Sequence, residues 1–292
     1  CCYFALPNEI AVTAKQRASL GVYRSIVGFI NIVLGLVLPI ILLTGQSGTH
    51  PLFVPIILII GFGASAILFL TSFGIKENMF AQLQPHEGFI EGLKLTLKNK
   101  PFWIFMIPAF IIATVLPIFS TGLLYYIDYV ISGQSPLSLV LFFLSGIIAG
   151  MLINIKKIEK WQPKKTMIIN LSIASIGSLS LFILGYSALF ASISFFLIGT
   201  GFAGGSIANI VLMGDVIDND ELITGKRREA IYGGVNAIIT KPSLSIGNSL
   251  FLWIIQVFSF KPPIIMGGVD VKQPQEFMAI VGILFALCVV PA

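Results

Sequence analysis

The sequence predicts an all-α polytopic membrane protein, on three observations. Of its 292 residues 56% are hydrophobic and only 11% charged, at a mean hydropathy of +0.96, whereas a soluble domain carries about 25% charged residues. The apolar residues fall in continuous runs, and about 20 residues of helix are enough to cross roughly 30 Å of hydrocarbon. The basic residues collect in alternate connections between those runs.

Runs at 20–44, 51–73, 101–131, 134–153, 166–185, 187–214 and 230–258 qualify, and a truncated one begins near 277. The opening CCYFALP reads as the end of another helix, which gives seven whole spans and two partial ones. Because the chain opens on Cys-Cys and stops inside FMAIVGILFALCVVPA, it reads as a piece of a longer protein. A membrane barrel would show stretches of about ten residues of alternating polarity, so continuous runs leave helices as the form that satisfies every backbone group in lipid. Gly and Pro inside the runs, as in MIPAFIIATVLPIFS, are tolerated in such helices. The cysteines, Cys1, Cys2 and Cys288, sit at the extreme ends and exclude a disulfide framework or a Cys-ligated metal site.

Sorted by alternate connections, 15 of the 18 Lys and Arg fall on one side. The positive-inside rule makes that side cytoplasmic, so the loops 74–100, 154–165 and 215–229 face the cytoplasm of a multi-pass plasma membrane protein. The net charge of +5 is then topology rather than nucleic-acid affinity. The longest polar connection, 74–100, separates 1–73 from 101–292. Within it Phe89, Leu93 and Leu97 recur every four residues with Lys94 and Lys98 between them, which predicts a short amphipathic helix on the membrane surface, the alternative being a solvated linker.

The densest polar signal is GDVIDNDELITGKRREAIYGG at 214–234. Asp215, Asp218, Asp220, Glu221 and Glu229 face Lys226, Arg227 and Arg228 within fifteen residues. If the preceding helix continues, Asp215 and Asp218 share one face and Glu221 follows a turn later. Such a cluster can pair with another loop and hold one conformation shut, or be a solvated loop with ordinary helix-end charges. The order needed for a calcium loop is absent.

Lys241 lies eleven residues into its span, roughly 17 Å deep at a rise of about 1.5 Å per residue. A charge there is by default functional, and the stem is too short to snorkel out. Pro242 predicts a kink beside it. Arg24, at the edge of the first whole span, and Tyr3 offer a forked donor and an aromatic face suited to a sugar, though spacing alone equally gives an interfacial Arg and a belt Tyr. GTGFAG at 199–204 lies inside an apolar span and reads as helix packing, with Gly201 and Gly205 in GxxxG spacing. His50 and His86 are far apart in loops, and no nucleophile and base or metal set emerges, which disfavours an enzyme.

Over DVIDNDELITGKRREAIYGGVNAIITK the chain resembles the glycoside–pentoside–hexuronide:cation symporters of the major facilitator superfamily, the melibiose-carrier relatives. Asp215, Asp218, Glu221, Thr224, Gly225, Arg227, Glu229 and Lys241 fit that family's signature, D-x-x-D-x-x-E, then T-G-[KR]-R-x-E and a membrane Lys. YYIDYVISG at 125–133, NKPFW at 99–103 and ALPNEI with the following R and YR at 5–24 are similar to the family's outer end of helix 7, start of helix 7 and helix 4–5 loop.

The resemblance implies a major facilitator fold, with a partial N-terminal bundle (1–73, the end of helix 4 with helices 5 and 6), the middle loop and a C-terminal six-helix bundle (101–292). It implies that Lys241 lies beside the cation site, that Arg24 and Tyr3 line the sugar site, and that Arg17, Asp215, Asp218, Glu221, Arg227 and Glu229 form a cytoplasmic gate. The acidic cation ligands would lie in helices outside this chain. One departure is Ser206, where melibiose carriers have a substrate-stacking Trp, so a pentoside, a uronide or a non-sugar becomes possible. The expectation is a secondary active transporter taking up a sugar or glycoside with sodium or protons, without a cofactor, whose partners are its solute, the coupling cation and the lipid bilayer. Alternatives are a lipid, lysolipid or drug carrier, or a transport-inactive sensor or scaffold.

Overall fold

The computed structural model describes residues 14–43, 51–74, 89–131, 136–157, 161–226, 228–266 and 269–292. Helices α1 (Ala14–Leu43) and α2 (Phe53–Gly74) come first, followed by the short α3 (Phe89–Lys98). The long helices α4 (Lys100–Tyr129), α5 (Pro136–Lys157), α6 (Pro163–Leu184) and α7 (Ala188–Thr224) then run back and forth. A broken span follows, α8 (Glu229–Thr240) and α9 (Pro242–Val257), and α10 (Phe277–Leu284) continues into a π-helical turn over Phe285–Val289. Among the described residues six helices are long and apolar enough to cross a membrane, counting α8 and α9 as one. α1, 30 residues long, carries the apolar run that the sequence places at 20–44.

Proline marks the helix starts. Pro101, Pro163 and Pro242 sit in the first turns of α4, α6 and α9, where a missing N–H costs nothing and the fixed φ suits the helix. α7 runs ten residues past the apolar run that ends at 214, because charges facing water do not stop a helix. Gly225 does: it adopts φ 67, ψ 12 and its N–H closes the last turn on Glu221 O at 2.8 Å.

The helices pack on small residues. A Cβ on Gly146, Gly150 or Gly199 would stand 2.1, 2.3 or 2.2 Å from the carbonyl oxygen of Phe196, Thr200 or Phe143 respectively, so α5 and α7 touch backbone to backbone. Gly201 approaches Asn170 O and Ala174 of α6 while Gly205 meets Leu171, as GxxxG spacing expects. Gly247 of α9 packs on Thr114 O beside Pro117, one of two prolines inside α4. An apolar core built on Phe119, Phe143, Phe195 and Phe251 fills the middle, and Phe29, Ile32, Val33 and Val37 of α1 pack against it. A second core, Phe102, Phe105, Met106, Val216, Ile217, Tyr232 and Val235, lies toward the end that carries the lysine-rich connections, called the basic end below.

At the opposite end the connection between α9 and α10 folds into a hairpin, β1 (Ile264–Met266) against β2 (Val269–Val271), antiparallel with Ile265 opposite Asp270. The sequence predicts no element between the runs that end at 258 and begin near 277, since strands of three residues are too short to show a period. Lys272 anchors the hairpin to Asp128 of α4 at 2.6 Å, and Lys261 bonds Glu276 at 2.7 Å. That bond holds the Glu276 carboxyl below the usual range. Phe260 joins Tyr125 and Tyr129 of α4 at ring distances of 5.3 and 5.1 Å.

Candidate functional site

The continuation of α7 puts Asp215, Asp218 and Glu221 at successive turns of one helix face. Asp215 is exposed, Asp218 and Glu221 half-buried, and Glu229 buried; none of the four is without a partner. Leu222 and Ile223 stand out into solvent at 86% and 73% exposure, so the final turn projects from the protein.

Asp220 turns the other way. It extends the inward stripe Val216 and Ile217 by one turn, and it is buried. Arg228, folded back by the Gly225 turn, meets it: Nη2 lies 2.6 Å and Nε 3.2 Å from the same oxygen, Oδ2. The Thr224 hydroxyl donates to Asp220 O at 2.8 Å and lies 3.4 Å from Arg228 Nη2. A buried ion pair gains little over an apolar pair, but removing one partner strands a charge and costs about 3–5 kcal/mol.

One turn along α8, Tyr232 is fully buried with its hydroxyl facing Asp220. It accepts a hydrogen bond from Asn99 Nδ2 at 2.6 Å, and Phe102 meets its ring edge to face at 5.2 Å. Asn99 occupies the cap position of α4 yet makes no side-chain cap bond; its amide is spent on Tyr232 instead. The network therefore ties α7, α8 and the junction of α3 with α4. Sequence reading counted Asp220 and Arg228 among the charges but assigned them no role; the missed signal is an acid at the i+3 and i+4 positions of an apolar stripe.

A helix is present before α4 as α3 (Phe89–Lys98); the Phe89 side chain lies outside the described residues. Gly92 and Thr96 are buried and Leu93 packs on the core, whereas Leu97 is 41% exposed. Lys94, Lys98 and Lys100 face outward, and the Trp103 indole donates to Leu97 O at 2.7 Å.

Lys241 sits at the joint between α8 and α9, where Pro242 removes one backbone donor while the Lys241 backbone itself stays helical at φ −66, ψ −42, its N–H bonded to Ala237 O at 2.9 Å. Hydroxyls flank the joint: Thr240 Oγ1 donates to Asn236 O at 2.7 Å and Ser243 Oγ to Thr240 O. The Lys241 side chain is exposed, and among the described residues no carboxylate pairs with it. Ser206 lies half-buried on α7 and Arg24 exposed on α1. Among the described residues no hydrogen bond or ion pair joins Arg24, Ser206 and Lys241. Tyr3, Arg227 and the side chain of Arg17 lie outside the described residues.

Comparison with known proteins accords with this architecture. Residues 1–292 match the family described as MFS/sugar transport protein. The chain is 23% identical over 297 residues, 99% of its length and 62% of the relative, to an Escherichia coli (strain K12) protein named as a glycoside/cation symporter, YagG. It is 23% identical over 308 residues to a Salmonella typhimurium (strain LT2) protein named as a 2,3-dihydroxypropane-1-sulfonate exporter, covering all of this chain and 65% of the relative. An Escherichia coli (strain K12) protein of the same name is 24% identical over 278 residues, 90% of this chain and 58% of the relative. The chain thus spans less than two thirds of the length of the curated relatives it matches.

Proposed function

As the chain belongs to the MFS/sugar transport protein family, we propose that it works as a secondary active transporter, coupling a sugar or glycoside to sodium or protons by alternating access. Residues 1–73 would belong to one bundle and 101–292 to the other, with the basic end cytoplasmic in the plasma membrane. The supporting observation is Lys241, an ammonium at a proline-broken joint inside a membrane span. Discontinuous helices are where transporters place substrate and ion sites, and a charge at that depth needs a reason. Arriving cation and solute would change the charge balance around Lys241, and Arg24, Tyr3 and Ser206 would line the solute path. The exposed and half-buried carboxylates of α7, with Arg17, Arg227 and Glu229, would close the cytoplasmic side while the outside is open. The solute, the coupling cation and the bilayer are its partners; no cofactor or nucleic acid enters the scheme.

A second reading rests on the same lysine. Two relatives are named as exporters of a dihydroxypropane sulfonate, and an ammonium with no carboxylate on it among the described residues suits a small hydroxylated anion.

Ligands that bind the folded state raise its stability by mass action, about 2.7 kcal/mol at 100 times Kd. Thermal unfolding of the full-length protein with glycosides, pentosides, uronides and the sulfonate, each with and without sodium and at two pH values, separates the readings. A sugar whose stabilisation requires the cation supports symport. Stabilisation by the sulfonate alone favours the second reading. No shift with any of them contradicts both.

A further inference from the structure

The charges around the Gly225 turn differ in burial, and that difference divides their labour. Asp215 is exposed and can exchange partners at little cost, whereas Asp220 and Arg228 are both 5% exposed and locked through Nη2 and Nε to one oxygen. Separating them would leave a charge stranded between helices. We propose that Asp220 and Arg228, with Tyr232 and Asn99, are the positioning residues of the cytoplasmic gate: they stay engaged throughout the cycle and fix the direction in which their sequence neighbours on α7, Asp215, Asp218 and Glu221, present the charges that open and close. This rests on the gate and the alternating access proposed above.

The geometry carries the inference in three steps. Gly225 reverses the chain with a left-handed turn that has no neighbouring atom within 4 Å of its would-be Cβ, so packing does not set the direction of the turn. The Arg228 to Asp220 bond, spanning eight residues across that turn, does. Tyr232 then hands the constraint to Asn99 at the α3–α4 junction, beside the buried Gly92 and Thr96 of α3. Hence α3 and the α7–α8 turn move as one body with this bundle.

The test needs no known solute. A cysteine reporter, Ser206→Cys, in the full-length protein is labelled with a membrane-impermeant methanethiosulfonate in inside-out and right-side-out vesicles, above the background of the parent. The gate reading itself requires unequal labelling from the two faces; equal labelling in the parent reporter would sink that reading rather than this one. Adding Asp220→Asn is expected to raise labelling from the cytoplasmic face at least fivefold without raising it from the outer face. Tyr232→Phe keeps the ion pair and removes the hydroxyl, serving where Asp220→Asn does not fold, and is expected to act in the same direction about twofold. A purely structural role raises labelling from both faces together. That outcome, or unchanged labelling in the folded variants, overturns the proposal.

Discussion

The carboxamides of Asn154 and Asn170 form a closed pair between α5 and α6. Each Nδ2 donates to the other's Oδ1, at 3.0 and 2.8 Å, and each also donates to its own helix, Asn154 to Gly150 O and Asn170 to Thr166 O, both at 2.8 Å. The side chains are 1% and 3% exposed. Losing one amide leaves the other half-satisfied in a dry site, which costs about 1–3 kcal/mol. Asn154→Ala and Asn170→Ala should each destabilise the protein in detergent by that order, and the double variant by less than their sum. Additive effects in a double-mutant cycle would show the pair to be uncoupled.

Gly204 is what lets that pair form. A Cβ there would lie 2.1 Å from Asn170 Cγ and 2.5 Å from Asn154 Nδ2. Gly204→Ala should therefore lower the thermal midpoint more than Gly225→Ala, where only the positive φ is strained at about 1 kcal/mol. Gly35→Ala, with nothing within 4 Å, should be neutral or stabilising, since alanine favours a helix by about 1 kcal/mol. Melting curves of the three variants in one detergent check the ranking.

Lys241→Ala should leave folding and expression intact, because the side chain is exposed and makes no ion pair among the described residues. Gradient-driven uptake should nonetheless be lost. Normal coupled uptake by this variant would remove Lys241 from the mechanism.

The β1–β2 hairpin should loosen in acid. Lys261 lowers the folded-state pKa of Glu276, so this contact contributes stability above the unfolded carboxyl pKa of about 4.3 and loses it as pH falls through the folded value. Hydrogen exchange over 261–276 should therefore speed up below about pH 4 in the natural chain. In Glu276→Gln it should change far less across that range.

The membrane spans were legible in the sequence because a helix in lipid announces itself by continuous apolar residues. The interruption of the hydrogen-bond ladder beside Lys241 was legible for a similar reason: Pro242 removes a backbone donor wherever it stands. Asp220 and Arg228 were not, because a list of neighbouring charges does not say which one turns inward; that depends on the extra turns of α7 before Gly225. The burial of Gly92 and Thr96 on α3 was not legible, because small residues carry no hydrophobic signal. The hairpin over 264–271 lay below the length at which alternation can be recognised.

The most direct test is uptake by the full-length protein in proteoliposomes, using labelled glycosides, pentosides, uronides and 2,3-dihydroxypropane-1-sulfonate, with an inward sodium or proton gradient and without one. Cation-coupled symport predicts accumulation of a sugar-like member above its external concentration only when one of the gradients is imposed. Accumulation indifferent to both gradients, or none of any member by protein shown to be folded, would contradict it.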